Sequence, residues 1–245
     1  VDQSRREWVA EHSSRILAAL QGGRDESEFA ETLLRHLCSV LGAGYGLAWR
    51  WDDDQGRLEW CGAYGLPDPA LVQRRFARGE GLVGQVLVEQ RAIEVSPVPE
   101  GYLKVMSGLG TSPPHTLAVL PVNARGQTVA VLELGLLQAP DDGQRSLLET
   151  VLTTAGLAWF SLSRSLETRD LLAQSQARAQ ELHDSREALH QQQEQLRGFN
   201  DALRSRTIQL EDQGRRLATS EREMREQARE LRGANEALEE RTRLL

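Results

Sequence analysis

The sequence predicts an α+β domain, an antiparallel sheet packed between helices, followed by a long parallel dimeric coiled coil. Three observations predict it. All five Trp and all three Tyr fall within residues 1 to about 160. The rest is mainly Leu, Gln, Arg, Glu and Ala, with no Pro and the lone aromatic Phe199. Finally, LRGFNDALRSRT at 196–207 is echoed by LRGANEALEERT at 231–242, five heptads further on. The front can build a core. The back has to bury a helical stripe against a partner to stay ordered.

The elements of the front follow in order. RREWVAEHSSRILAAL (5–20) has helical apolar spacing, with Trp8, Val9, His12, Ile16 and Leu20 on one face, and QGGRD ends it. A second helix is expected over 27–41, with Phe29, Leu33, Leu34, Leu37 and Val40 facing inward, stopped by Gly42 to Gly44. GYGLAWRW alternates as a strand with Leu47, Trp49 and Trp51 on one face. DDDQG turns it, and RLEWCGAY returns with Leu58, Trp60 and Tyr64. ALVQRRFARG is expected to form a short helix and GLVGQVLVEQ another, with a strand at RAIEVS. Residues 97–114 read as a long irregular segment. HTLAVLPVNA and QTVAVLELGLL read as a hairpin turning at Arg125-Gly126. The last helix opens with Asp141 and Asp142 at its positive N-terminal end. Strands without regular βαβ alternation point to an antiparallel sheet with helices on one face. The short helices and the long loop then cover the other face and leave a concavity for a small ligand.

In the back half, every seventh residue from Leu182 is apolar: Leu182, Leu189, Leu196, Leu203, Leu210, Leu217, Met224, Leu231, Leu238 and Leu245. With these at heptad d, position a is mostly polar and includes Asn200 and Asn235, which occupy the same place in the two copies of the repeat. A buried Asn at a favours a parallel dimer in one register, at a cost in stability. Gly198, Gly214 and Gly233 weaken the helix further, by about 1 kcal/mol each against Ala. Two readings stay open: a plain dimerisation rod, or a rod near balance that is built to change state. From Leu182 to Leu245 it would reach roughly 95 Å. Ser175 and Thr168 break the leucine phase upstream, so a stutter is expected near 172–179.

The net charge of −7 argues against nucleic acid as a partner. Cys38 and Cys61 form no metal or disulfide spacing, which suits a reducing cytoplasm. The apolar runs are far shorter than the ~20 residues of a bilayer span. The chain starts at Val1, as an excised piece would, and any membrane connection is expected only through an upstream segment.

The runs GEGLVGQVLVEQRAIEV, SGLGTSPPHTLAVLPV and QTVAVLELGLL, in that order, resemble a GAF domain. They are most similar to the GAF domains of bacterial sensor histidine kinases, often hybrid ones. REWVAEHSSRILAALQG resembles the helix that follows a HAMP domain in such kinases. LRGANEALEERTRLL resembles the signalling helix leading to the kinase core. The resemblance implies an N-terminal signalling helix (1–22), a GAF sensory domain (23–165) and a coiled-coil signalling helix (166–245). It also implies a homodimer and a kinase core in cis beyond this chain. No phosphoacceptor stretch like HELRTPL occurs. His183 in ELHD reads as a surface residue at heptad e, although ELHD resembles the phosphoacceptor stretch of another kinase class. No nucleophile–base pair or cluster of acids marks an enzyme.

Residues expected near a ligand are Trp60, Tyr64, Phe76, Val83, Tyr102, Met106, His115, Leu117, Val119 and Glu133. His115 is either a strand-end histidine or a ligand contact, and it is the one candidate for a haem ligand. Glu133 is either solvent-facing or a contact to a polar ligand. Arg74 and Arg75 are either a solvated face or an anion contact. Bilin attachment needs a cysteine near the pocket beside a histidine, and neither cysteine has that setting. The residue set of cyclic-nucleotide GAF domains is absent. No cofactor is expected.

Overall fold

The computed structural model describes residues 2–66, 68–107 and 110–243. Four α-helices and eight strands follow in the order α1 (Asp2–Leu20), α2 (Glu26–Leu41), β1 (Ala43–Asp52), β2 (Arg57–Tyr64), β3 (Arg75–Ala77), α3 (Gly81–Glu89), β4 (Ile93–Val95), β5 (Val105–Ser107), β6 (Gly110–Ser112), β7 (Thr116–Ala124), β8 (Gln127–Leu136) and α4 (Asp142–Arg243). The chain divides into two compact units, residues 1–172 and 173–245.

The first unit is an antiparallel sheet in the order β3-β2-β1-β8-β7-β4. α1, α2 and the base of α4 cover one face, sealed by Ile16, Phe29, Leu33, Leu37, Leu132, Leu134, Val151 and Trp159. α3 and the segment between β4 and β7 cover the other, where Tyr45, Leu47, Trp49, Leu58, Val83, Leu117, Val119 and Val131 form a second core. The expected two-sided α+β architecture is therefore the one observed.

Local chemistry explains the element ends. Asp25 caps α2 by accepting from the Glu28 amide at 2.8 Å, and Gly42 closes the helix in a left-handed conformation. Asp141 and Gln144 form a reciprocal box at the start of α4: Gln144 N–H donates to Asp141 Oδ1 at 2.8 Å, and Asp141 N–H donates to Gln144 Oε1 at 3.0 Å. Arg125 and Gly126, both at positive φ, make the tight β7–β8 turn. Glu26 ties three elements together. Its carboxylate accepts from Trp159 Nε1 at 3.2 Å and from the Ser163 hydroxyl, and pairs with Arg50 at 3.5 Å.

Two expectations are corrected. Residues 70–79 are not a short helix. A 3-10 turn at Pro69–Leu71 is followed by β3, which pairs with β2 through Arg57↔Ala77, Leu58↔Phe76 and Glu59↔Arg75. The sheet needs an edge there, and pairing overrides the weak helical spacing. The 97–114 segment is not wholly irregular, because β5 and β6 form a small hairpin within it.

In the second unit α4 presents Leu182, Leu189, Leu196, Leu203, Leu210, Leu217, Met224 and Leu231 to solvent, each 49–72% exposed. Thr207 donates its hydroxyl to the Leu203 carbonyl at 3.0 Å, so it brings no unmet donor to the seam. The Leu238 side chain and Leu245 lie outside the described residues.

Candidate functional site

The face of the sheet beneath α3 and the 97–112 segment is lined by residues of β1, β8 and β7. Tyr45, Leu47 and Trp49 project from β1, Val131 from β8, and Leu117 and Val119 from β7, all buried. Glu133 stands in the same row. It lies opposite Leu47 on one neighbouring strand and Val119 on the other. A carboxylate is thus set into an apolar layer at the centre of the sheet, and among the described residues no basic side chain pairs with it. Burial pushes its pKa up from 4.5 to about 7, and the Tyr45 hydroxyl offsets part of that rise.

Tyr45 is fully buried. Its ring lies flat across Gly135, where an added Cβ would come within 2.3 Å of the ring, so only glycine fits opposite it. The ring places its hydroxyl within electrostatic reach of Glu133. The hydroxyl reaches the Glu133 carboxylate closely enough to act on it as a hydrogen-bonding group, but among the described residues no hydrogen bond of ordinary geometry satisfies it. Burial first, then the Glu133 charge, raises the Tyr45 pKa. Val105 of β5 packs on Gly44 next door. The indole N–H of Trp60 is also buried without a partner, while the Arg74 guanidinium sits 5.1 Å above its ring. Buried polar groups in folded proteins nearly always have a partner. Two orphans and an unpaired carboxylate in one layer mark this face as the candidate site.

The expected residues divide. Phe76 belongs to this face, meeting Trp49 edge-on at 5.4 Å between ring centres. Leu117 and Val119 are wall, fully packed. Tyr102 is partly exposed but acts electrostatically on Tyr45. Met106 is 60% exposed. His115 stands exposed at the start of β7 with Nδ1 3.0 Å from Thr116 Oγ1. Tyr64 packs against the opposite, helix-side core. A bulge explains this: the β1–β2 register slips so that Gly62 faces Ala48 while Trp60 faces Trp49, with Cys61 extra between them. Arg75 pairs with Glu59 at 3.4 Å on the sheet edge. Sequence reasoning missed Tyr45. The signal that could have found it is an aromatic whose cross-strand partner is glycine.

Both cysteines lie in the helix-side core, so neither reaches the candidate face. Burial raises both thiol pKa values, that of Cys38 to about 12. Among the described residues there is no group of three or more His, Cys, Asp or Glu that could hold a metal, and no helix is long and apolar enough to cross a membrane.

Glu133 makes a stability prediction. Its folded pKa lies above its unfolded value, so its contribution is fully present below about 4.5 and is lost as pH rises through about 7. Glu133→Gln removes that loss. The variant is expected to melt several degrees higher than the parent at pH 8.5, from about 2–3 kcal/mol, and nearly together with it at pH 5. Trp fluorescence follows the first unit alone, since every Trp lies there. An equal shift at both pH values would contradict a half-buried, proton-binding carboxylate.

A family model described as the GAF domain matches residues 23–159. The GAF domain of a phosphoenolpyruvate-protein phosphotransferase (ptsP) from Coxiella burnetii superimposes with a TM-score of 0.53 at 18% identity, over 65% of this chain and 96% of its own. The Acinetobacter counterpart gives 0.52 at 15%, over 63% and 94%. A free methionine-R-sulfoxide reductase from Neisseria meningitidis, solved in complex with its substrate, gives 0.50 at 17%, over 64% and 91%. No curated protein matches the chain. Likeness at these identities speaks for the fold alone, whereas the family match spans more than half of the 245 residues, and by it this chain belongs to the GAF domain family.

Proposed function

We propose that this chain is the sensory and signal-transmission part of a dimeric bacterial sensor histidine kinase, acting in the cytoplasm. In this reading residues 1–22 bring input from upstream, the GAF domain modulates it through the Tyr45–Glu133 face, and α4 passes the change to a kinase core in cis. Two chains associate in parallel along the leucine seam. The observation that carries the reading is the stripe from Leu182 to Leu231, exposed at strict seven-residue spacing on the helix whose base is buried under the sheet. A lone helix of this composition has no reason to keep such a stripe in water.

Asn200 supports the switching role. At heptad a its side-chain amide would meet its counterpart in a parallel partner. Asn200→Leu with Asn235→Leu is expected to raise the melting temperature of the dimer and to lock kinase output in the intact protein. The checks are calorimetry on this chain and autophosphorylation of the intact kinase with and without stimulus. Stabilisation with regulation unchanged would leave only a passive spacer, the reading of the rod as a constitutive scaffold.

A further inference from the structure

The chemistry of the candidate face limits what it can hold. Glu133 supplies an acceptor and, when ionised, a full negative charge. The buried Tyr45 hydroxyl lies beside it, with no hydrogen bond of ordinary geometry among the described residues. Around them are Leu47, Leu117, Val119, Leu103 and Val105, with the phenol of Tyr102 within electrostatic reach of Tyr45. One carboxylate cannot replace the six to eight oxygens that a divalent ion such as calcium demands. An anion would meet the carboxylate and no paired base. A neutral apolar ligand would leave both polar groups unmet, each at a cost.

We propose that this face binds a small organic cation, a primary amine on an apolar or aromatic body, with its ammonium group between the Glu133 carboxylate and the Tyr45 hydroxyl. The ammonium donates one hydrogen bond to each oxygen and neutralises the Glu133 charge, which no basic side chain among the described residues pairs with. The proposal rests on reading this chain as a ligand sensor and names the ligand class for it.

The titratable groups acting here are Glu133 on β8, Tyr45 on β1 and Tyr102 on the loop before β5. β7 contributes only Leu117 and Val119, and α3 only Val83, Val86 and Leu87. A cation binds the ionised form of Glu133, so its affinity should rise between pH 6 and pH 8 as the site gives up its proton.

The test uses the full chain and three matched probes: phenethylamine, phenethyl alcohol and phenylacetate, titrated by calorimetry and ligand-observed NMR. Phenethylamine is expected to bind with a Kd on the order of 1 mM or tighter, at least tenfold better than the alcohol. Phenylacetate is expected not to bind. Glu133→Gln should bring the amine down to the level of the alcohol, and Tyr45→Phe should weaken it a few-fold. Both variants keep the shape of the layer. The proposal is overturned if the alcohol or the acid binds as well as the amine, or if amine binding survives Glu133→Gln. It is equally overturned if none of the three binds, in which case the two groups share a buried water only. Sedimentation of the same sample separates this failure from that of the relay reading: a dimer that ignores amines loses the ligand class alone, whereas a monomer loses the relay.

Discussion

Replacing Leu203 and Leu210 by lysine is expected to turn a dimer into a monomer. Both leucines stand about half exposed in the single chain, in the middle of the stripe. Burying a leucine side chain is worth about 1.5–3 kcal/mol, and a parallel dimer buries four at these two positions. Lysine removes that gain and sets like charges against each other in the seam. The dissociation constant should rise roughly ten-thousand-fold or more, which sedimentation equilibrium reads directly. Helical circular dichroism should fall as well, because an isolated polar helix is marginal in water. The Trp fluorescence melt of the first unit should stay in place, since no Trp lies beyond Trp159. A double variant that remains dimeric would place the association elsewhere.

The second large effect is Gly156→Ala in the base of α4. Alanine normally stabilises a helix by about 1 kcal/mol over glycine. Here a Cβ would come within 2.1 Å of the Asn123 carbonyl oxygen and 2.8 Å of its carbon. That neighbour is strand backbone, and it cannot rotate away. Asn123 is held in place by Thr128, whose hydroxyl donates to Asn123 Oδ1 at 2.7 Å. The helix would have to lift from the sheet, pulling Val151, Ala155 and Trp159 from the core. A net loss of about 2–3 kcal/mol is expected, seen as a fall of roughly 5–10 °C in the Trp fluorescence melt. Gly198→Ala is the control. Nothing lies within 4 Å of that position in the chain, so ordinary helix propensity should stabilise it. If Gly156→Ala were neutral or stabilising, α4 would not be docked this closely on β7.

Much of the architecture was legible because periodicity follows burial. Leu33, Leu34 and Leu37 repeat as a buried helix face must, and all are fully buried. Tyr45, Leu47 and Trp49 alternate as one face of a strand must. The strand pattern also placed Glu133 within an apolar strand. It could not show which side of the sheet was covered by what, so both the solvent-facing and the ligand-facing reading of that residue stayed open. Tyr64 was misplaced because one extra residue at Cys61 reverses every side chain beyond it, and strict alternation cannot see a bulge. β3, β5 and β6 were missed because three residues are too few to carry a period, and cross-strand pairing alone defines them. Tyr45 was missed because its significance lies in Gly135, ninety residues away along the chain and adjacent across the sheet.

The central claim is a parallel, in-register pair of helices. A spin label at Gln191→Cys tests it most directly. Gln191 lies at heptad f, outside the seam, and Cys38 and Cys61 are buried and leave the new thiol as the reactive one. In a parallel dimer the two labels sit across helices whose axes are about 10 Å apart. Pulsed dipolar spectroscopy should then give a single narrow distance of roughly 20–30 Å. An antiparallel pairing centred on the same stripe would put the labels about 65 Å apart at 1.5 Å of rise per residue. That long distance, or no dipolar coupling at all, would contradict the account.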